Sequence, residues 1–257
     1  PASVPKVKFD IENYTNYLKA QIAKAPNVKV SLGVSVTNDF LKEQGYDAVV
    51  FSNGTREGTP PIPGIDTIQY VQATDLLMDP AKLGDAKKVV VVGGGAVGLE
   101  TAYWLSYEKN CKVQVVEMLE NIEEGACTAN RGHLIHYLEA NGGELLNCSK
   151  VVSFAPGSVK ISRNISKGVP DPYCTWAPVL PKNIENPLAP KIKNETYVAE
   201  LPCDLVVLAM GGRPDEGAFL SAQQAGVAPE VYDIGDSFNA GRVLEANRAA
   251  YNLAKKI

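Results

Sequence analysis

Residues 89–100 read VVVVGGGAVGLE. Four valines run into three glycines, and the chain then turns to residues that suit a helix. Gly93, Gly95 and Gly98 fit G-x-G-x-x-G, with Ala96 and Val97 in the variable places. In such a loop the first glycine permits the tight turn, the second lets backbone approach a diphosphate, and the third lets the helix pack on the sheet. The helix N-terminus then offers unpaired N–H groups and partial positive charge to the anion. Glu117 lies 19 residues beyond Gly98, at the end of the next strand-like run, KVQVVE. That is close to the roughly 20 expected of an acid that binds a ribose. Its carboxylate would accept hydrogen bonds from ribose hydroxyls and repel a 2′-phosphate. No Arg or Lys follows it, since the next residues are Met118, Leu119 and Glu120, so the pattern points to NADH over NADPH.

These residues need a scaffold of alternating strands and helices. The spacing predicts a strand over 87–92, a helix over 97–109, a strand over 112–117, a helix over 129–141 and a short strand over 144–148. That βαβαβ order implies a parallel sheet. Strand-like pieces follow at 150–154, 159–162, 196–201 and 203–210. Upstream, Ile11, Tyr14, Leu18 and Ile22 have helical spacing, 28–37 (VKVSLGVSVT) alternates as a strand does, and 46–55 is a short strand ending in Asn53 and Gly54. TPPIPGI at 59–65 is a stiff crossing between domains. Residues 231–236 (VYDIGD) and a helix over 243–256 close the chain. Residues 164–194 hold six prolines and break the rhythm; they read either as a docking or covering loop, with Trp176 to pack, or as a bland insertion.

The chain has 257 residues, 45% of them hydrophobic, and a net charge of -4 without a long run of one sign. That excludes a basic nucleic-acid footprint. No stretch reaches the length of a membrane span and the first residues carry no signal-peptide core, so a cytoplasmic protein without membrane partners is expected. Five scattered cysteines form no C-x-x-C pair, which removes that kind of dithiol centre and fits a reducing compartment.

GGGAVGLETA resembles the G-G-G-x-x-G-x-E-x-A segment of flavoproteins with two dinucleotide-binding domains, the glutathione-reductase-like fold. FSNGT and LAMGGRPD, the latter containing Gly211, resemble two turns of that family, and VYDIGD the segment whose Asp lies along the flavin ribityl chain. VEMLENI, TPPIPGI and the lack of C-x-x-C resemble one branch: the C-terminal flavoprotein half of old-yellow-enzyme relatives such as 2,4-dienoyl-CoA reductase, enoate reductase and trimethylamine dehydrogenase.

The resemblance implies an α/β fold in which a Rossmann-like NAD-binding domain (66–210, with the insertion 164–194) sits inside an incomplete FAD-binding domain (1–65 and 211–257) with ββα-type sheet layers. It implies NADH at Gly93, Gly95, Gly98 and Glu117. It places Glu100 near the nicotinamide, where the bland alternative is a surface acid at the helix start. Asn53 and Gly54 would touch the flavin or its diphosphate, Gly235 and Asp236 the ribityl and diphosphate region, and Arg242 the isoalloxazine; the lesser alternative for Asp236 is a turn or helix-capping acid. The family's first flavin strand, its glycine loop and its acid have no counterpart in the sequence, nor does the upstream barrel that carries FMN and an iron–sulfur cluster. A piece of a larger flavoenzyme is therefore expected, passing hydride from NADH to FAD and on to a second flavin centre that reduces activated C=C bonds. The alternative is a scaffold that holds ADP or NAD structurally.

Other constellations are weaker. His133 and His136 stand three apart on one predicted helix without further ligands nearby, so no metal site is expected. No G-x-S-x-G elbow supports a hydrolase. The acids Glu117, Glu120, Glu123 and Glu124 read most simply as a solvated edge.

Overall fold

The computed structural model describes residues 1–124, 126–175 and 190–257. In chain order the elements are α1 (Phe9–Lys24), α2 (Asn38–Gln44), β1 (Ala48–Phe51), β2 (Thr55–Glu57), β3 (Tyr70–Gln72), α3 (Ala73–Met78) and β4 (Lys88–Val92). Then come α4 (Ala96–Tyr103), β5 (Lys112–Val116), α5 (Thr128–Ala140), β6 (Glu144–Leu146), β7 (Ser149–Ala155), β8 (Ser158–Asn164) and β9 (Thr196–Pro202). β10 (Leu205–Leu208), β11 (Gly212–Pro214), α6 (Gly217–Ala225), β12 (Glu230–Asp233) and α7 (Val243–Ala254) complete the chain. They fall into two compact units, Pro1–Leu18 with Thr59–Gly211 and Lys19–Gly58 with Gly212–Ile257.

The first unit is built on a parallel sheet in the order β3-β10-β4-β5-β6. β4 stands at its centre because its four valines are buried on both faces, as a doubly covered parallel strand requires. Strand alternation divides the packing. Val89 and Val91 join Leu76, Leu99, Ala102, Ile135 and Leu138 of α3, α4 and α5 in one core. Val90 and Val92 join Val151, Phe154, Val159 and Ile161 of the antiparallel meander β7-β8-β9 in the other. The α/β architecture and parallel order are those expected from the sequence. After Tyr103 the helix widens to a π turn over Trp104–Glu108, where the Lys109 N–H reaches back to the Trp104 carbonyl.

Sheet edges are exposed to stray pairing unless something covers them. At β6 the cover is the described start of the 164–194 insertion. The Leu145 N–H donates to the Tyr173 hydroxyl at 3.0 Å, and that hydroxyl donates to the Gly143 carbonyl at 3.1 Å. Asn147 Nδ2 donates to the carbonyls of Glu120 and Pro170. This stretch is thus tied to the sheet, while Trp176 lies outside the described residues. Tyr173→Phe leaves a backbone donor and acceptor without their partner and is expected to cost about 1–2 kcal/mol in denaturant melts. Unchanged stability would show that water replaces the hydroxyl.

The second unit has a small core of Leu41, Ala222 and Val227 with Phe51, Val49 and Val231 around it. β1 and β12 pair in parallel, with Phe51 opposite Asp233, and β2 and β11 pair in antiparallel. α2 is fixed at one end by Thr37, whose side chain accepts the Phe40 N–H, and at the other by Gly45 in the left-handed conformation.

The strand expected over 28–37 does not form. Its alternating Val28, Val30, Leu32, Val34 and Val36 are all exposed, Leu32 by 90%. Alternation marks a strand only where a neighbour supplies hydrogen bonds and a face to bury. Among the described residues no strand pairs with this segment. α1 forms where the spacing predicts, yet its Tyr14, Leu18 and Ile22 are exposed and it buries no residue. Among the described residues no helix is long and apolar enough to cross a membrane.

Candidate dinucleotide site

The glycine loop joins the C-terminal end of β4 to the start of α4. Gly93 has φ 109°, a conformation that side chains rarely adopt, and a Cβ there would strike the Ala209 carbonyl. A Cβ on Gly98 would run into the Gly93 carbonyl, so helix and loop touch backbone to backbone. A Cβ on Gly94 would come within 2.9 Å of the Glu117 Cβ. Gly95 differs: a Cβ there would meet nothing within 4 Å. Its backbone is extended at φ -75° and ψ -176°, and its carbonyl accepts the first helical bond, from the Leu99 N–H. The amides of residues 96–98 precede that bond and are the orphan donors of the helix start. The loop is therefore closed toward the protein on three sides and open on the fourth.

Gly93, Gly95, Ala96, Val97, Glu117 and Gly211 all line one cavity of about 540 Å³. Its walls are mainly apolar, with Ile62, Val151 and Met210 among them, and Met118 and Leu119 stand exposed at the margin. The volume suits a cofactor-sized ligand.

Glu117 is only 8% exposed. Its Oε2 accepts the Gly94 N–H at 2.7 Å and its Oε1 the Leu119 N–H at 2.8 Å. A carboxylate accepts at about four lone-pair positions, so each oxygen keeps capacity for a ligand hydroxyl. The acid thus locks the glycine loop to the end of β5 and still presents acceptors to the cavity. From the other side the Glu123 N–H donates to the Gly94 carbonyl at 2.7 Å. Glu117 and Glu123, at 8% and 5% exposure, are not part of a solvated edge; loop closure buries them, while Glu120 and Glu124 remain exposed.

Several lining residues were not legible as site residues in the sequence, Ser149 and Lys150 among them. Ser149 and Lys150 line the cavity although they lie more than 30 residues beyond Glu117. The Ser149 N–H donates to the Glu117 carbonyl at 2.8 Å, and this brings the start of β7 beside the acid. A local motif carries no signal for such a contact.

Glu100 does not line the cavity. It forms an ion pair with Lys8, and the neighbouring Lys6 N–H donates to Glu108 at 2.8 Å. In the second unit, Asn53 and Gly54 follow β1, and Gly235 and Asp236 follow β12. Because β1 and β12 are parallel neighbours in register, both turns leave the same end of the pair. Open α/β sheets bind ligands at that end. Gly54 and Gly235 have φ 83° and 70°. Asp236 Oδ1 accepts the Gly241 N–H at 3.0 Å, a turn-tying bond, and the Arg242 N–H donates to Glu245 at the start of α7. Asp233 Oδ2 is buried and has no hydrogen-bond partner. Among the described residues this unit contains no strand–glycine-loop–helix cradle of its own.

None of the five cysteines forms a disulfide. Burial, then Asp204, pushes the Cys203 thiol up to about 11, and burial also raises Cys111 and Cys148. These three thiols therefore stay protonated near neutral pH and are poor nucleophiles. His133 packs against Tyr137 with ring centroids 4.6 Å apart. No cluster of three or more metal-ligating side chains occurs among the described residues.

The chain is 29% identical to bilirubin reductase of Mediterraneibacter gnavus over 96% of its own length. It is 28% identical to cinnamate reductase of Clostridium sporogenes over 100% of its length, and it spans 33% of each of these relatives. The solved 2-naphthoyl-CoA reductase complex matches with a TM-score of 0.81 and 24% identity, over 100% of this chain and 34% of that one. Histamine dehydrogenase from Rhizobium sp. 4-9 matches with a TM-score of 0.71 and 16% identity, over 94% of this chain and 33% of that one. The family model of pyridine nucleotide-disulphide oxidoreductases matches residues 3–233. With its glycine loop, acid-closed cavity and parallel sheet, the chain belongs to the pyridine nucleotide-disulphide oxidoreductase family.

Proposed function

We propose that this chain is the nicotinamide-dinucleotide part, with a portion of the flavin part, of an NADH-dependent flavoprotein oxidoreductase. The observation that carries the reading is the Gly94–Glu117–Leu119 clamp beside an open Gly95. It fits an adenosine ribose and a diphosphate side by side. Gly95 and the orphan amides of residues 96–98 hold the diphosphate, and the free lone pairs of Glu117 take the ribose hydroxyls. The apolar walls exclude water along the rest of the ligand. Glu100, paired with Lys8 and outside the cavity lining, would stand near the nicotinamide where it meets the flavin.

The second unit fits one side of a flavin site. Asn53, Gly54, Gly235 and Asp236 converge at one end of a parallel strand pair, and the orphaned Asp233 Oδ2 lacks a donor. Arg242 at the start of α7 completes this side. When bound, FAD supplies the acceptor for the hydride of NADH. The second glycine cradle comes from a segment outside this sequence, and FAD binds well only when that segment is supplied. The longer relatives are named as reductases and this chain spans a third of each. That is compatible with a longer protein, in which the family resemblance implies an upstream barrel with its own FMN and iron–sulfur cluster where an activated C=C bond would be reduced.

The test is NADH-driven reduction of a dye with FAD in excess, measured against free FAD alone. The reading expects a rate above that background that disappears in Glu117→Arg. Equal rates in wild type and variant contradict it. Equal affinity for ADP and NADH, with no contribution from the nicotinamide, would favour a nucleotide-holding scaffold.

A further inference from the structure

Lys150 opens no motif and follows no predicted acid, yet it lines the same cavity as Glu117. Three observations define its position. The Ser149 N–H bond to the Glu117 carbonyl fixes the start of β7 at the ribose end of the cavity. Both Glu117 oxygens are already held by backbone N–H groups, so the carboxylate cannot swing out to neutralise the lysine. Lys150 is exposed, and no ion pair holds its ammonium among the described residues. The buried acid and the exposed lysine therefore line one cavity, and Ser149, the residue before Lys150, is bonded to the Glu117 backbone.

We propose that Lys150 is a specificity-determining residue that lets this site accept a dinucleotide with a phosphate on its adenosine ribose. The proposal rests on the reading of the cavity as a dinucleotide site and deepens it. Glu117 taken alone repels a 2′-phosphate and selects NADH. A lysine ammonium reaching into the same cavity would offset part of that repulsion and donate to the phosphate oxygens. The outcome is a site that prefers NADH while tolerating NADPH.

The experiment titrates the 257-residue chain with NADH and NADPH by ligand fluorescence at low ionic strength, where surface charge is least screened. Wild type, Lys150→Met and Glu117→Gln are compared. In Lys150→Met the ratio of NADPH to NADH Kd is expected to rise about fivefold or more, with the NADH Kd changed less than twofold. Glu117→Gln, with the lysine in place, is expected to move the ratio the other way. Equal weakening of both ligands in Lys150→Met would overturn the proposal, because it would place the ammonium on the shared diphosphate. An unchanged ratio would also overturn it. A wild-type chain that binds neither ligand would instead overturn the reading of the cavity itself.

Discussion

Gly95→Val is expected to abolish NADH binding and leave the fold intact. Its backbone is extended, a conformation that β-branched residues adopt without strain. A Cβ there meets no atom within 4 Å, so the new methyl groups enter only the cavity. They would stand where the diphosphate must approach the helix start, and the loss of that approach removes several charge-assisted hydrogen bonds at once. NADH affinity should fall by about 100-fold or more, about 2.7 kcal/mol. The melting temperature should stay within about 2 °C of wild type, since surface substitutions away from packed features cost little. Titration and thermal melts of the same sample check both halves. Retained affinity would show that the ligand does not lie over Gly95.

Gly98→Ala is expected to do the opposite, with the damage in the protein first. Its Cβ would run into the Gly93 carbonyl, and neither partner can move because both belong to the backbone. The start of α4 would have to withdraw from the loop, and Leu99 and Ala102, both buried in the core behind it, would withdraw with it. Overpacking of this kind costs about 1–3 kcal/mol. Melting temperature should fall by roughly 2–12 °C for a unit of this size, and NADH binding should weaken as the orphan amides tilt. A variant as stable as wild type would show that the contact at Gly98 is slack. Two glycines three residues apart thus answer different questions: one faces the ligand, the other the protein.

The sequence made the central sheet legible because its signals are local. Four valines before a glycine cluster, a helix and a further β-branched run can be read without knowing what packs on them. The acid at 117 was legible by its distance from the loop. Its second task, closing the loop through Gly94 and Leu119, was not, since backbone contacts of a carboxylate leave no pattern. Lys150 was illegible for a related reason: it comes to the cavity only through the path of the chain after β6, where its neighbour Ser149 bonds to the Glu117 carbonyl. The 28–37 segment shows the reverse case. Its alternation was a clear local signal, but a strand is a property of two chains of hydrogen bonds, and the described residues provide one. The same shortfall explains why α1 has the spacing of a packed helix and buries none of it. Short elements such as α2 and α6 depend on their caps, Gly45 and Gly226, and carry too few apolar positions to stand out.

The first unit is proposed to hold one complete nucleotide cradle, and the second unit one side of another. Calorimetric titration of the 257-residue chain with NADH, and in a parallel cell with FAD, tests this most directly. The account predicts saturable binding of one NADH per chain, and FAD binding too weak to saturate. Tight FAD binding with no NADH binding would contradict it, and would place the working cradle in the second unit.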